Sequence, residues 1–152
     1  MSKNIKPKKP KQKPVITTDV QPELPRYISF SFRYLSKNKQ RNFDFFSYKE
    51  WKQKGEALYQ LFCFLQRLSD KTEKDIVSLS KHQDSGFEML KFKDVNCLPN
   101  GRTLSKEDNI FVFRFGNNGN GGDYRLLGFF EDKSSVLYVI GFDFDYSAYR
   151  HD

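Results

Sequence analysis

Three side chains in the last third of the chain are of types that bind phosphate or transfer protons. Arg114 and Arg125 fall on neighbouring predicted strands, and a guanidinium fork can hold two phosphate oxygens at once. His151 stands beside Tyr149, and an imidazole exchanges protons near neutral pH. The alternatives are ordinary surface arginines and an exposed histidine near the chain end. We take Arg114, Arg125 and His151 as candidate catalytic residues beside these alternatives.

Two carboxylates on the third predicted strand of this region could hold a divalent cation. Asp143 and Asp145 are two residues apart, so both should point to one face of the strand. The alternative, which we favour, is that they form the solvent face of a strand whose other face holds Phe142, Phe144 and Tyr146.

No other motif in the sequence specifies a chemistry. Cys63 and Cys97 lack CxxC spacing, and with His82 and His151 they are too dispersed to predict a metal site. The stretch GNNGNGG joins two predicted strands, whereas a phosphate-binding loop joins a strand to a helix. We therefore predict a hairpin loop at GNNGNGG, and we expect neither a metal nor a cofactor.

The elements that must position these residues are clearest between Ile110 and Tyr149. Three runs rich in aromatic and aliphatic residues, IFVFRF, YRLLGFF and VLYVIGFDFDY, are separated by GNNGNGGD and EDKSS. Apolar runs with turn residues between them predict a three-stranded antiparallel meander. The third run is apolar on both faces, which indicates a central strand covered on both sides.

The preceding residues predict one strand followed by a long helix. Tyr27 to Leu35 alternates at the period of a half-buried strand, with one face made of Ile28, Phe30, Phe32 and Tyr34. Ser47 and Glu50 form a capping box that starts a helix running to Leu68. The predicted apolar face of this helix consists of Trp51, Leu58, Leu61, Phe62, Leu65 and Leu68.

A second helix and an edge strand complete the predicted elements. Thr72 and Asp75 repeat the capping pattern and start a shorter helix. This helix carries Ile76, Val77 and Leu79, and Gly86 is its candidate C-cap. Phe87 to Phe92 is a candidate edge strand. The fold we predict is α+β: a twisted antiparallel sheet, made of the N-terminal strand and the C-terminal meander, with two helices packed on one face.

Charge is distributed unevenly along the chain. Residues 1–14 contain six lysines and no acidic residue, and residues 26–71 contain ten basic and four acidic residues. Residues 105–152, in contrast, contain five basic and eight acidic residues. We expect residues 1–25 to be a disordered tail rich in lysine and proline, and residues 26–152 to be a single α+β domain. The tail is either an arm that contacts phosphates or a solubilising leader.

No apolar run approaches the length of a membrane span, and the N-terminus lacks the apolar segment of a secretory signal. We therefore expect a soluble, cytoplasmic protein. The residues predicted to contact nucleic acid are Lys8, Lys9, Lys11, Arg33 and Lys52.

The order of these elements, strand, two helices and a meander, resembles that of the RelE/ParE toxin superfamily. The most similar segment is 113–149, where FRFG, GDYRLLGFF, VLYVIGFDFD and SAYRH resemble the family's arginine-bearing strand, its "YR" strand, its hydrophobic strand and its closing aromatic or histidine. The sequence departs from that pattern in its lysine tail, in an inserted segment over 86–104 and in its acidic sheet.

The resemblance implies a toxin of a toxin-antitoxin system that cleaves messenger RNA and inhibits translation. On this interpretation Arg114 and Arg125 stabilise the phosphorane, Tyr149 stacks on or orients a base, and His151 is the general acid or base. The implied partners are RNA or ribosome-bound messenger RNA and a cognate antitoxin. Other members of the superfamily inhibit gyrase without nuclease chemistry. The competing hypothesis is a non-enzymatic module of a phage or mobile element that binds nucleic acid or a protein.

Overall fold

The computed structural model describes residues 8–11, 24–78 and 87–151. Five strands and two α-helices follow one another along these residues: β1 (Ser29–Ser31), α1 (Trp51–Ser69), α2 (Glu73–Ser78), β2 (Phe87–Lys91), β3 (Asn109–Asn117), β4 (Asp123–Phe130) and β5 (Val136–Asp143). No helix among the described residues is long and apolar enough to cross a membrane.

The strands form one sheet in the order β1-β5-β4-β3-β2. β2 to β5 are antiparallel to their neighbours, which confirms the meander and the edge strand at Phe87. β5 lies between β1 and β4, as its apolar run predicted. The prediction of a purely antiparallel sheet was wrong, because β1 pairs with β5 in parallel. The α+β class is confirmed.

β1 is shorter than the nine-residue strand that the alternation predicted. Only Ser29–Ser31 pairs with β5, and the chain then turns. Ile28 and Phe30 pack on the face of the sheet that α1 covers. Phe32 is exposed, and Tyr34 packs on the opposite face against Phe129. The four alternating residues therefore do not share one face, because the strand ends before Phe32.

Both predicted capping boxes are present. The Ser47 backbone N–H donates to the Glu50 carboxylate at 3.1 Å, ahead of a 3₁₀ turn that leads into α1. The Thr72 backbone N–H donates to the Asp75 carboxylate at 2.8 Å, ahead of α2. Hydrogen bonds within each box lower the pKa of its carboxyl. The largest effect on the Glu50 pKa comes from the Ser47 side chain, and the largest effect on the Asp75 pKa comes from the Thr72 backbone.

Helix α1 buries only part of the predicted apolar face: Leu61 and Leu68 are in the core and Leu65 packs against it. Its buried residues are Ala57, Leu61, Phe64 and Leu68. Trp51, Leu58 and Phe62, which we expected in the core, are exposed. The buried face packs on β3, where the Phe64 ring lies 5.8 Å from that of Phe113.

The two faces of the sheet carry separate apolar clusters. The helix-side cluster unites α1 with Ile76 of α2 and with the rings of Phe113, Phe115 and Phe142. The opposite cluster consists of Cys97, Ile110, Val112, Leu127, Phe129, Ile140 and Ala148. Loops, the 3₁₀ turn Phe92–Asp94 and the segment after β5 cover this second cluster. Among the described residues, both α-helices therefore lie on one face of the sheet, as predicted.

Some predicted features lie outside the described residues. These are the Gly86 C-cap, Leu79, the Val77 side chain, His82 and most of the tail. Lys8, Lys9 and Lys11 are described and exposed.

Candidate functional site

Strand register places three charged residues side by side on the face opposite α1. Arg114 of β3 is directly opposed to Arg125 of β4, and Arg125 is directly opposed to Asp143 of β5. Residues with direct cross-strand partners point to the same face. A row of charge therefore crosses three strands at the end of the sheet near the β3–β4 hairpin.

The segment after β5 turns back over this row. Tyr146 has a positive φ of 62°, which reverses the chain direction. The Asn96 N–H then donates to the Ala148 carbonyl at 2.6 Å, and Val95 forms a β-bridge with Tyr149. The grouping of Tyr146 with Phe142 and Phe144 on one strand face was wrong, because β5 ends at Asp143 and the reversal carries Tyr146 to the other side.

We call the resulting group of side chains the terminal cluster. It consists of Arg114, Asp123, Arg125, Asp143, Tyr146, Tyr149 and His151. It contains the three candidate catalytic residues and Tyr149, and these four residues are separated by up to 37 positions in the sequence.

Arg125 lies at the centre of the terminal cluster. It is buried, and its guanidinium carbon is 4.4 Å from the Tyr146 ring centroid and 5.9 Å from that of Tyr149. Cation–π attraction at such distances is worth about 0.5–2 kcal/mol. Its Nη1 is buried without a hydrogen-bond partner among the described residues, which leaves one strong donor available.

Asp123 lies between the two arginines. Its Oδ2 is 3.6 Å from Nε of Arg114 and 3.8 Å from Nη2 of Arg125. The Asp123 backbone N–H donates to the Tyr146 hydroxyl at 2.9 Å, which fixes the reversal over Arg125. Arg114 is exposed, so it is the arginine with access to a bound anion.

His151 packs against two aromatic rings at the edge of the cluster. Its ring centroid is 4.2 Å from that of Tyr149 and 4.9 Å from that of Tyr146. Its Nε2 is 4.0 Å from Oδ2 of Asp143, and 28% of its side chain is exposed. The imidazole is therefore held in place and still reaches solvent, as proton transfer to a bound molecule requires.

Asp143 is fully buried, so the expectation that it forms a solvent face was wrong. Its Oδ1 accepts from the Ser147 N–H at 3.1 Å, and its Oδ2 is buried without a hydrogen-bond partner among the described residues. Burial raises the pKa of the Asp143 carboxyl, as does its hydrogen bond with Asp145, whereas the nearby guanidinium of Arg41 opposes the shift.

Arg41 contacts residues that hold the terminal cluster in place, and the sequence did not identify it as part of the site. It is fully buried, and its guanidinium donates to the Asn96 carbonyl at 2.7 Å and to the Ser147 hydroxyl at 2.8 Å. Its Nη1 is 3.7 Å from Oδ1 of Asp143 and 3.6 Å from Oδ1 of Asp145. The sequence places Arg41 in a basic polar loop and carries no signal of this burial, since every partner except its neighbour Gln40 is distant in the chain.

The Tyr149 hydroxyl stays protonated at neutral pH. Burial raises its pKa most, and the carboxylate of Glu88 raises it further, while Arg125 acts in the opposite direction. Tyr149 can therefore donate a hydrogen bond or stack, but it is a poor general base.

The remaining predicted site residues lie elsewhere. Lys52 is exposed on α1, and Arg33 is exposed on the turn after β1 with its guanidinium carbon 5.5 Å from the Tyr34 ring centroid. Within the described part of the chain, none of Arg33, Lys52, Lys8, Lys9 and Lys11 forms a hydrogen bond or an ion pair with the terminal cluster. Over the same residues, no three His, Cys, Asp or Glu side chains form a group that could hold a metal ion.

Comparison with known proteins found no relative of this chain. No protein-family model, curated protein or solved structure matches this chain. The functional argument therefore depends on the chemistry of the residues themselves.

Proposed function

We propose that the protein is an endoribonuclease of RelE/ParE type that cleaves single-stranded RNA at the terminal cluster. The observation that supports this most is the position of His151, which is partly exposed, held between Tyr146 and Tyr149, and 4.0 Å from the Asp143 carboxylate. The same cluster contains an arginine on each of two adjacent strands, Arg114 and Arg125. This is the set of groups that proton transfer next to a phosphate needs.

In the proposed reaction, His151 accepts the proton of a ribose 2′-OH. The 2′-oxygen then forms a bond to the adjacent phosphorus, and the bond from phosphorus to the 5′-oxygen breaks. The leaving 5′-oxygen takes up the proton from His151. The products are a 2′,3′-cyclic phosphate and a free 5′-hydroxyl, so atoms and charge balance without a cofactor.

The other residues of the cluster have separate roles in this proposal. Arg114, which is exposed, binds the phosphate and stabilises the phosphorane. Arg125 is buried beneath the tyrosine rings and acts as a positioning residue. Tyr149 donates a hydrogen bond or stacks on a base.

The proposal includes a biological setting. The protein would act in the cytoplasm on messenger RNA, free or on the ribosome, and a cognate antitoxin would neutralise it. Expression in bacteria should then arrest growth and fragment messenger RNA, and His151→Ala should remove both effects. Growth arrest that persists in a folded His151→Ala variant would contradict the setting and the mechanism together.

A second candidate is a non-enzymatic module that binds nucleic acid or a protein. It is favoured by Asp123, whose carboxylate lies close to both arginines and compensates their charge. The basic part of the chain, residues 26–71, belongs instead to the helical half. Tight binding of RNA by wild-type protein, with no cleavage products, would select this candidate.

A further inference from the structure

The solvent-facing side of α1 carries an unusual row of aromatic residues. Trp51, Tyr59 and Phe62 are 74%, 71% and 69% exposed, and Tyr48, in the turn before the helix, is also exposed. We call Tyr48, Trp51, Tyr59 and Phe62 the aromatic ridge. These residues recur at helical spacing on the side opposite the buried Ala57, Leu61, Phe64 and Leu68. An exposed apolar patch of this kind marks an interaction surface.

Gly55 interrupts the ridge between Trp51 and Tyr59. Glycine is unfavourable inside a helix compared with alanine, and a Cβ at Gly55 would meet no atom within 4 Å. Neither packing nor backbone geometry therefore requires glycine here. The missing side chain leaves space open between two exposed rings.

This space is part of a cleft of about 560 Å³ between α1 and the β3–β4 hairpin. The helix side is lined by Trp51, Lys52, Gly55, Glu56, Tyr59 and Gln60, and the hairpin side by Asn117 and Gly119.

The hairpin wall of the cleft is fixed to the helix. The Gln60 side chain donates to the Asn117 carbonyl at 3.0 Å and accepts from the Asn117 N–H at 2.9 Å. Gly116 allows this contact, because a Cβ there would overlap the Gln60 side chain. The cleft is therefore built from secondary structure on both sides.

Charge indicates what the cleft binds. Over residues 49–56, Lys49, Lys52 and Lys54 outnumber Glu50 and Glu56, and residues 26–71 contain ten basic and four acidic residues. A second copy of this chain would present the same positive surface and be repelled. The phosphates of a nucleic acid complement it, and exposed planar rings are platforms on which unpaired bases stack.

We propose that this cleft binds single-stranded nucleic acid, with one base on Trp51, another base further along the strand on Tyr59, and an intervening phosphate near Lys52. Trp51 and Tyr59 are eight positions apart, which is about 12 Å along a helix and suits two bases separated by one nucleotide of an extended strand. The proposal shares with the proposed function only the class of ligand. The cleft lies on the helix side of the sheet, and the terminal cluster lies on the other.

Trp51 is the only tryptophan in the chain, so its fluorescence reports on the cleft directly. We would titrate the full chain with a single-stranded RNA whose 2′-oxygens are all methylated, because that strand cannot be cleaved through its 2′-OH. Saturable quenching of Trp51 is the expected result. An unchanged Trp51 signal at low salt would overturn the proposal.

Two substitutions test the contacts. Tyr59→Ala should weaken binding by about 5- to 150-fold, the range for loss of one stacked base. Lys52→Ala should lower the slope of log affinity against log salt by about 0.7. The matched control is Tyr27→Ala, which removes an aromatic side chain that is 55% exposed outside the cleft and should leave affinity unchanged.

Gly55→Ala should change RNA affinity and thermal stability in opposite directions. It should raise Tm by about 2–8 °C, because alanine is the better helix former, while it weakens binding by narrowing the cleft. A raised Tm with unchanged affinity would mean that no ligand occupies this space, and would overturn the proposal.

Different experimental results would contradict the cleft proposal and the proposed nuclease activity. His151→Ala should leave Trp51 quenching by methylated RNA unchanged, whether or not wild-type protein cleaves ordinary RNA. If Trp51 fluorescence instead changes with protein concentration alone, and sedimentation shows dimers, the ridge is an interface between copies and the cleft proposal is wrong.

Discussion

Arg125 and Asp143 are directly opposed on β4 and β5, yet each retains a buried polar atom without a hydrogen-bond partner among the described residues. The two side chains do not form an ion pair within 4.0 Å in that part of the chain. Asp143 contacts Arg41 and His151 instead, and Arg125 lies beneath Tyr146. Unsatisfied buried polar atoms are rare, and perturbed pKa values such as that of Asp143 cluster at functional sites.

Among the residues that hold the terminal cluster in place, Arg41 should lower the free energy of unfolding most when it is substituted. Arg41→Met leaves the Asp143 carboxylate buried without its guanidinium, so we expect the free energy of unfolding to fall by about 3–5 kcal/mol. Urea denaturation measures this loss. Arg33→Met is the matched control, because Arg33 is exposed and should change stability by no more than about 0.5 kcal/mol. Equal losses for the two variants would contradict the buried role of Arg41.

Asp143 should give the protein a characteristic pH dependence. The pKa of the Asp143 carboxyl is raised in the folded state. Between the unfolded and the folded pKa values, the folded chain therefore binds more protons than the unfolded chain. The free energy of unfolding consequently falls as pH rises through that window. Asp143→Asn removes this titration. The variant should therefore gain stability relative to wild type as pH increases from about 4, where the ordinary aspartate pKa lies. Thermal unfolding across pH checks the sign, and a relative loss would show that Arg41 outweighs burial.

Gly116 should be intolerant of a side chain because of one specific neighbour. Gly116→Ala places a Cβ against the Gln60 side chain, and we expect the free energy of unfolding to fall by about 1–3 kcal/mol. Gln60→Ala in the same chain should recover part of this stability, since it removes Oε1 and Cδ, two of the three Gln60 atoms that overlap the new Cβ. A double-mutant cycle by urea denaturation measures this coupling, and strictly additive effects would refute the contact.

The lysines of the tail should contribute to RNA affinity by neutralising phosphates. Replacing Lys8, Lys9 and Lys11 with alanine should reduce the slope of log affinity against log salt by up to about 2, at roughly 0.7 for each phosphate that is no longer neutralised. Sequence preference should not change, because binding to phosphates carries no base information. A slope equal to that of wild type would mean that these lysines are solubilising only.

Local sequence rules predicted the local structure well. The capping boxes at Ser47 and Thr72 depend on residues three positions apart, and both are formed. The meander followed from apolar runs separated by turn residues. Strand register also placed Arg114 beside Arg125, two of the candidate catalytic residues.

Features set by distant parts of the chain could not be predicted. Helix α1 is apolar around much of its circumference, so periodicity alone did not decide between Trp51 and Phe64 for the core. The parallel pairing of β1 depends on where the chain returns to the sheet. The burial of Arg41 depends on partners such as Asn96 and Ser147, more than fifty residues away.

The most direct test of the proposed function is cleavage of a defined single-stranded RNA by purified full-length protein, with product ends identified. We predict a 2′,3′-cyclic phosphate and a 5′-hydroxyl, and a rate at least about 100-fold lower for His151→Ala, the usual contribution of a general acid or base. Circular dichroism of the variant confirms its fold. Cleavage by a folded His151→Ala variant at the wild-type rate, or no cleavage by wild-type protein that binds the same RNA, would contradict the proposal.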